Sequence, residues 1–157
     1  MTSRASIGHH AIHPMLVTLP IGLWVFSLAC DAAFRLGADT VVDTMAFWAM
    51  VGGIVGALLA AIPGFLDFLT LTERRTWRIA AIHMGFNLTI VALYVVNLWL
   101  RTQMAPGVGL PISLSAIAVA LLLVSGWLGG TLVYERGVAI DPAPDVTIIT
   151  QRKRHAA

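Results

Sequence analysis

Residues 77–101, WRIAAIHMGFNLTIVALYVVNLWLR, decide the fold. The run is long enough to cross a bilayer, whose hydrocarbon core takes about 20 apolar residues as a helix. Yet it carries His83, Asn87, Ile90, Tyr94, Asn97 and Arg101 at steps of four and three. That spacing holds the whole series on one helical face. A second apolar run repeats the pattern with His13, Val17, Pro20, Trp24, Ser27 and Asp31. Groups this polar are expensive against lipid and belong inside a bundle or a water-filled cavity. The two stripes are therefore expected to face each other.

Composition agrees with a membrane chain. Of 157 residues, 58% are hydrophobic and 11% charged, against roughly 45–50% and about 25% in a soluble domain. The length suits one domain. Cys30 is the only cysteine, so an intramolecular disulfide and a Cys-ligated zinc or iron–sulfur centre are excluded within one chain.

Four spans are expected, over about 14–34, 44–69, 77–100 and 110–134. The first break holds Gly37 with Asp39 and Asp43, the second Glu73 with three arginines, and the third Pro106 with Gly107 and Gly109. Arg4, Arg74, Arg75, Arg78, Arg136, Arg152, Lys153 and Arg154 fall on one side of the bundle, and Arg35 and Arg101 on the other. The positive-inside rule then places both termini in the cytoplasm. The fold class is all-α, an integral-membrane four-helix bundle. Its membrane domain is expected over 1–140, followed by a basic cytoplasmic tail over 141–157 that contacts anionic headgroups. Ser27-Leu28-Ala29-Cys30 faintly resembles a lipoprotein cleavage site, but the polar stripe runs through it to Asp31, which favours an intact span.

Helix two carries Gly52, Gly56, Ala60 and Gly64 at every fourth position, and helix four carries Ser115, Ala118, Leu122, Ser125 and Gly129. Small residues let helix backbones approach in lipid. Ordinary helix packing explains them, within the bundle or across a homo-oligomer.

Helices one and three run parallel, which gathers His13, Asp67, His83 and Asn87 in the cytoplasmic half. His83 lies well inside its span with Asn87 one turn on, and intramembrane ionisable groups are functional candidates by default. Asp67 is expected to reach His83 across the helix two–three hairpin, where it and Asn87 would orient the imidazole. Asp31, at the opposite end, is expected to pair with Arg101 or Arg35. Three roles are open. A b-type haem takes imidazole ligands in a bundle interior, with His83 and His13 as the candidates, although span counting puts His83 deeper by about two turns. A quinone takes a histidine or asparagine donor beside aromatic walls, here His83, Asn87, Tyr94 and Trp24. A proton path takes linked titrating groups along the His83 stripe. His9, His10 and His13 form a weaker cluster that imidazole chemistry would allow to bind a transition metal. The bland alternative is a non-catalytic assembly partner whose stripes are interhelical glue. No paired nucleophile and base and no glycine-rich phosphate loop suggests a hydrolase or transferase, and no broad basic face suggests nucleic acid.

Four segments together resemble a bacterial membrane family catalogued as domain of unknown function 2231: IHPMLVTLPIGLWVFSLACD at 12–31, PGFLDFL at 63–69, AAIHMGFNL at 80–88 and GGTLVYERGVAID at 129–141. The resemblance implies a four-span inner-membrane domain. It places the family's polar positions on His13, Asp31, Asp67 and His83. Some relatives are joined to a Rieske-type iron–sulfur domain, which implies electron-transfer surroundings and an electron-transfer partner. A histidine that often follows the double glycine in such proteins is Thr131 here. The resemblance names no reaction.

Overall fold

The computed structural model describes residues 3, 5–8, 10–106 and 109–140. Among these a short hairpin, β1 (Ser6–Ile7) and β2 (His10–Ala11), leads into helices α1 (Ile12–Leu16), α2 (Thr18–Arg35), α3 (Thr40–Phe68), α4 (Arg74–Gln103) and α5 (Gly109–Gly130). A π-helical turn, Thr131–Glu135, extends α5. Four helices are long and apolar enough to cross a membrane: Ile12–Arg35, Thr40–Phe68, Arg74–Gln103 and Gly109–Glu135. The all-helical, four-span reading holds. The segment 141–157 expected as a basic tail lies outside the described residues, as do Arg4 and His9.

The first span is not one continuous helix. Pro20 has no N–H to give the carbonyl of Leu16, and its ring crowds that carbonyl. The helix is accordingly interrupted at Val17, between α1 and α2, although Val17 keeps helical dihedrals and donates to His13 O at 3.1 Å, so the backbone bonding carries on across the interruption. At the other end of α2, Gly37 takes φ +100° and closes the helix with bonds from its N–H to Phe34 O (3.0 Å) and from Ala38 N–H to Ala33 O (3.1 Å). Glycine suits this left-handed closing position because it has no Cβ to clash. Asp39 then caps α3 by accepting from the Val41 N–H at 2.9 Å.

The helices run up and down in turn. α2 packs along α3 and α4 along α5, and contacts of α3 with α4 and of α2 with α5 join the two hairpins. The centre is filled by Trp24, Met50, Ile90, Tyr94, Ala118 and Leu122. A smaller cluster of Leu71, Ala80 and Leu132 closes the end that carries the terminal segments. Outward faces are apolar, with Leu58, Leu88 and Leu123 all exposed. Exposed Trp48 and Trp99 lie toward one end, and Trp77 and Trp127 toward the other. Two such girdles mark the headgroup levels, where amphipathic aromatic rings settle.

The small-residue stripe of α3 meets the first span. A Cβ on Gly52 would stand 3.1 Å from Leu23, one on Gly53 would overlap the Trp24 ring, and one on Gly64 would lie 2.7 Å from His13 Nδ1. These glycines pack within the bundle. Their work is to leave volume for the large and polar side chains of the first span.

Candidate functional site

The polar stripes of the first and third spans meet across the diagonal of the bundle, and they do so in three layers. In the first layer the rings of His13 and His83 face each other with centroids 6.5 Å apart and planes at 89°. About three turns further on, Trp24 stacks on Tyr94 at 4.3 Å and 10°. At the far end Asp31 and Arg101 form an ion pair. Parallel helices with the same four-three spacing keep the layers in register.

Backbone carbonyls set the histidine layer. His13 Nδ1 lies 2.8 Å from Ala60 O, and His83 Nδ1 lies 2.9 Å from Ser125 O and 3.1 Å from Ser125 Oγ. A carbonyl only accepts, so both Nδ1 atoms donate, the tautomer that in a neutral imidazole leaves the lone pair on Nε2. Asn87 Nδ2 donates to His83 Nε2 at 3.1 Å and to His83 O at 2.9 Å. Glycine backbone flanks each ring, Gly64 at His13 and Gly129 at His83, where an added Cβ would stand 3.2 Å from Cε1. Both histidines are half-buried.

The expected depth difference between His13 and His83 is not found. Ala60, which holds His13, lies about two turns from the end of α3, and His83 lies about two and a half turns from the start of α4. Counting from the start of each span misplaced His13 because residues before it fold over that end of the bundle, so the helix start does not mark the end of the bundle. Ser3 Oγ donates there to both carboxylate oxygens of Asp67 (2.8 and 2.9 Å), and Ile12 N–H donates to Ala5 O. Asp67 thus serves the N-terminal segment. The expected pairing of Asp67 with His83 is replaced by Asn87 on one side of the ring and Ser125 on the other.

Trp24 and Tyr94 do not wall the histidines. They lie one layer deeper and cover each other's faces, so neither offers a free face to a ligand beside His83. The Trp24 indole N–H approaches Met50 O at 3.4 Å, and the buried Tyr94 hydroxyl has no hydrogen-bond partner among the described residues.

The Asp31 layer is closed by side chains. Besides Asp31, Arg101 Nε donates to Asn97 Oδ1 (3.2 Å), and Asn97 Nδ2 donates to Pro111 O (2.7 Å) and Ser115 Oγ (2.8 Å). Asp43 stands 3.9 Å from Arg101, at a cleft of about 230 Å³ walled by Phe34, Phe47 and Met104. Of the two partners expected for Asp31, the ion pair is with Arg101. The cleft was not foreseen, and the charged Asp43 among apolar loop-flanking residues was its only sequence signal. Ser125 was read as packing, yet it holds His83 through both its carbonyl and its hydroxyl. His10 Nδ1 bonds Gly8 O at 2.8 Å, and no group of three or more metal-binding side chains occurs among the described residues.

A family model described as a predicted membrane protein (DUF2231) matches residues 9–142. No curated protein and no solved structure matches the chain.

Proposed function

The chain belongs to the DUF2231 family of predicted membrane proteins, and from that premise we propose a redox-linked role in which His13 and His83 hold a b-type haem. The observation that carries this reading is the 6.5 Å separation of the two imidazole centroids. Two imidazoles bound to one metal at about 2.0–2.1 Å would have centroids roughly 6 Å apart. The carbonyls of Ala60 and Ser125 fix each ring by Nδ1 and leave Nε2 as the ligating nitrogen, the usual outer support of a metal-bound histidine. Asn87 donates to the same lone pair that iron would take, so its amide stands in for the metal at His83. Gly64 and Gly129 let the helix backbones close on the rings and hold them in place. When bound, the haem supplies one-electron chemistry. A quinone is the weaker form of the reading, because the stacked Trp24 and Tyr94 are committed to each other. The distribution of arginines supports a site in the cytoplasmic half of the membrane.

The competing reading is an assembly partner with purely structural stripes. It draws on the Asp31 layer, where Arg101, Asn97 and Ser115 are bonded to one another within the protein. Absorption spectroscopy separates the two. Protein expressed with a haem supply and purified in mild detergent is expected to show a Soret band that shifts on dithionite reduction. His13→Ala and His83→Ala should each abolish the low-spin spectrum while the helical content stays unchanged. Wild-type protein without a Soret band overturns the haem assignment.

A further inference from the structure

We propose that Arg136 is the anion-holding residue at the terminal end of the histidine site, taking a propionate carboxylate of the haem proposed above. The inference rests on that reading and on an independent observation. The Nε of Arg136 is buried and has no hydrogen-bond partner among the described residues. Buried donors almost always have a partner, and an orphan one needs an explanation. The nearby acid does not provide it. Glu73 is close enough for its charge to interact with that of Arg136. But its carboxylate is taken by its own helix, accepting from Arg75 N–H at 2.8 Å and Thr76 N–H at 2.6 Å.

Placement agrees. Ser125 and Gly129 of α5 touch the His83 ring. Arg136 follows Gly129 by about two turns, which carries it roughly 10 Å further toward the end of the bundle. That is comparable with the distance from the centre of a haem to its carboxylates. The π-helical turn lies between them, and such turns are frequent at functional sites. It is well anchored: Leu132 packs on Leu71 and Ala80, and Val138 N–H and Gly137 N–H return to Leu132 O (2.9 Å) and Val133 O (3.1 Å). A guanidinium held this way presents a planar fork that matches a carboxylate in two bonds.

The test titrates cofactor-free protein, in non-ionic detergent, with hemin and with hemin dimethyl ester, which lacks the free carboxylates. Soret absorbance reads binding of both. Wild type should prefer hemin by about ten- to a hundredfold, the effect of one charged hydrogen-bonding pair. Arg136→Gln should lower hemin affinity to that of the ester and leave ester affinity unchanged, which also reports that the fold is intact. Arg136→Lys should recover part of the preference. Equal binding of the two porphyrins by wild type, or a preference that persists in Arg136→Gln, overturns the role of Arg136 and leaves the histidine pair standing. If phosphatidylglycerol added to the micelle erases the preference, the guanidinium belongs to a lipid phosphate and the assignment falls. No Soret response to either porphyrin overturns both proposals.

Discussion

The two ends of the diagonal are built from the same sequence pattern and differ in what holds their polar groups. At the Asp31 end, side chains satisfy side chains: Asp31 with Arg101, Arg101 with Asn97, Asn97 with Ser115. Asp31 and Asn97 are wholly enclosed. At the histidine end the rings are held by backbone carbonyls of neighbouring helices and remain half-buried. Each ring is anchored by main chain through Nδ1, and at His83 the Nε2 also accepts from the amide of Asn87 on its own helix. A group tied at every donor is a brace. The chain therefore pairs a side-chain lock at one end of the bundle with a carbonyl-anchored histidine layer at the other, with the Trp24–Tyr94 stack between them.

If the Asp31 layer is a lock, breaking it should produce the largest loss of stability in the molecule. Arg101→Ala leaves the buried Asp31 charge without its counterion, which costs about 3–5 kcal/mol, and Asp31→Ala, which leaves Arg101 only the longer contact with Asp43, should cost somewhat less. The double variant should recover much of that loss, because no charge is stranded. Thermal unfolding in detergent reads all three, and single variants as stable as wild type would remove the distinction between the ends. The glycines give the next largest effect. Gly53→Ala drives a methyl into the buried Trp24 ring and is expected to cost about 1–3 kcal/mol. Gly85→Ala and Gly126→Ala meet nothing within 4 Å and should gain about 0.5–1 kcal/mol from the helix preference for alanine. The same unfolding assay is expected to give opposite signs for these two classes of glycine.

The histidine layer should behave differently again. His83→Ala removes bonds to Ser125 and Asn87, and interhelical hydrogen bonds of this kind average about 0.6 kcal/mol in lipid. A small change in unfolding temperature with complete loss of the Soret band is the expected result. A loss as large as that for Asp31→Ala would move the histidine layer into the structural class.

Much of this arrangement was legible in the residues. Apolar run length gave the spans, and the four-three spacing told which faces would meet, because helical periodicity is a local property. Depth and sign of charge narrowed the partner of Asp31 to Arg101 or Arg35, and the structure pairs it with Arg101. The height of His13 was not legible, since it depends on the fold of the segment before it and on the small residues of α3 that admit it. The partners of His83 were missed for a related reason. A backbone carbonyl such as that of Ser125 carries no signature in the sequence, while Asp67 advertised a partnership that Ser3 takes instead. Trp24 and Tyr94 suggested a ligand wall, but two facing aromatics with matched register satisfy each other first.

Glu73 offers the smallest effect and the finest comparison, because the strength of its helix cap depends on protonation. Its carboxylate caps α4 with bonds from the Thr76 hydroxyl and from the N–H groups of Thr76 and Arg75, which hold its pKa at about 2, below the ordinary 4.5. A carboxyl depressed in the folded state stabilises that state when ionised. Its contribution is complete above about 4.5, declines as the pH falls, and is gone below about 2. Glu73→Gln lacks the charge at every pH. Wild type should therefore unfold at a higher temperature than Glu73→Gln at pH 6, and the gap should close as both approach pH 2. At the opposite end α3 is also capped by a carboxylate, Asp39, which accepts one backbone N–H where Glu73 accepts two. Asp39→Asn should accordingly leave a smaller gap than Glu73→Gln at pH 6. Equal gaps would mean that the helix dipole alone, and not the extra bonds at Glu73, sets the strength of the cap.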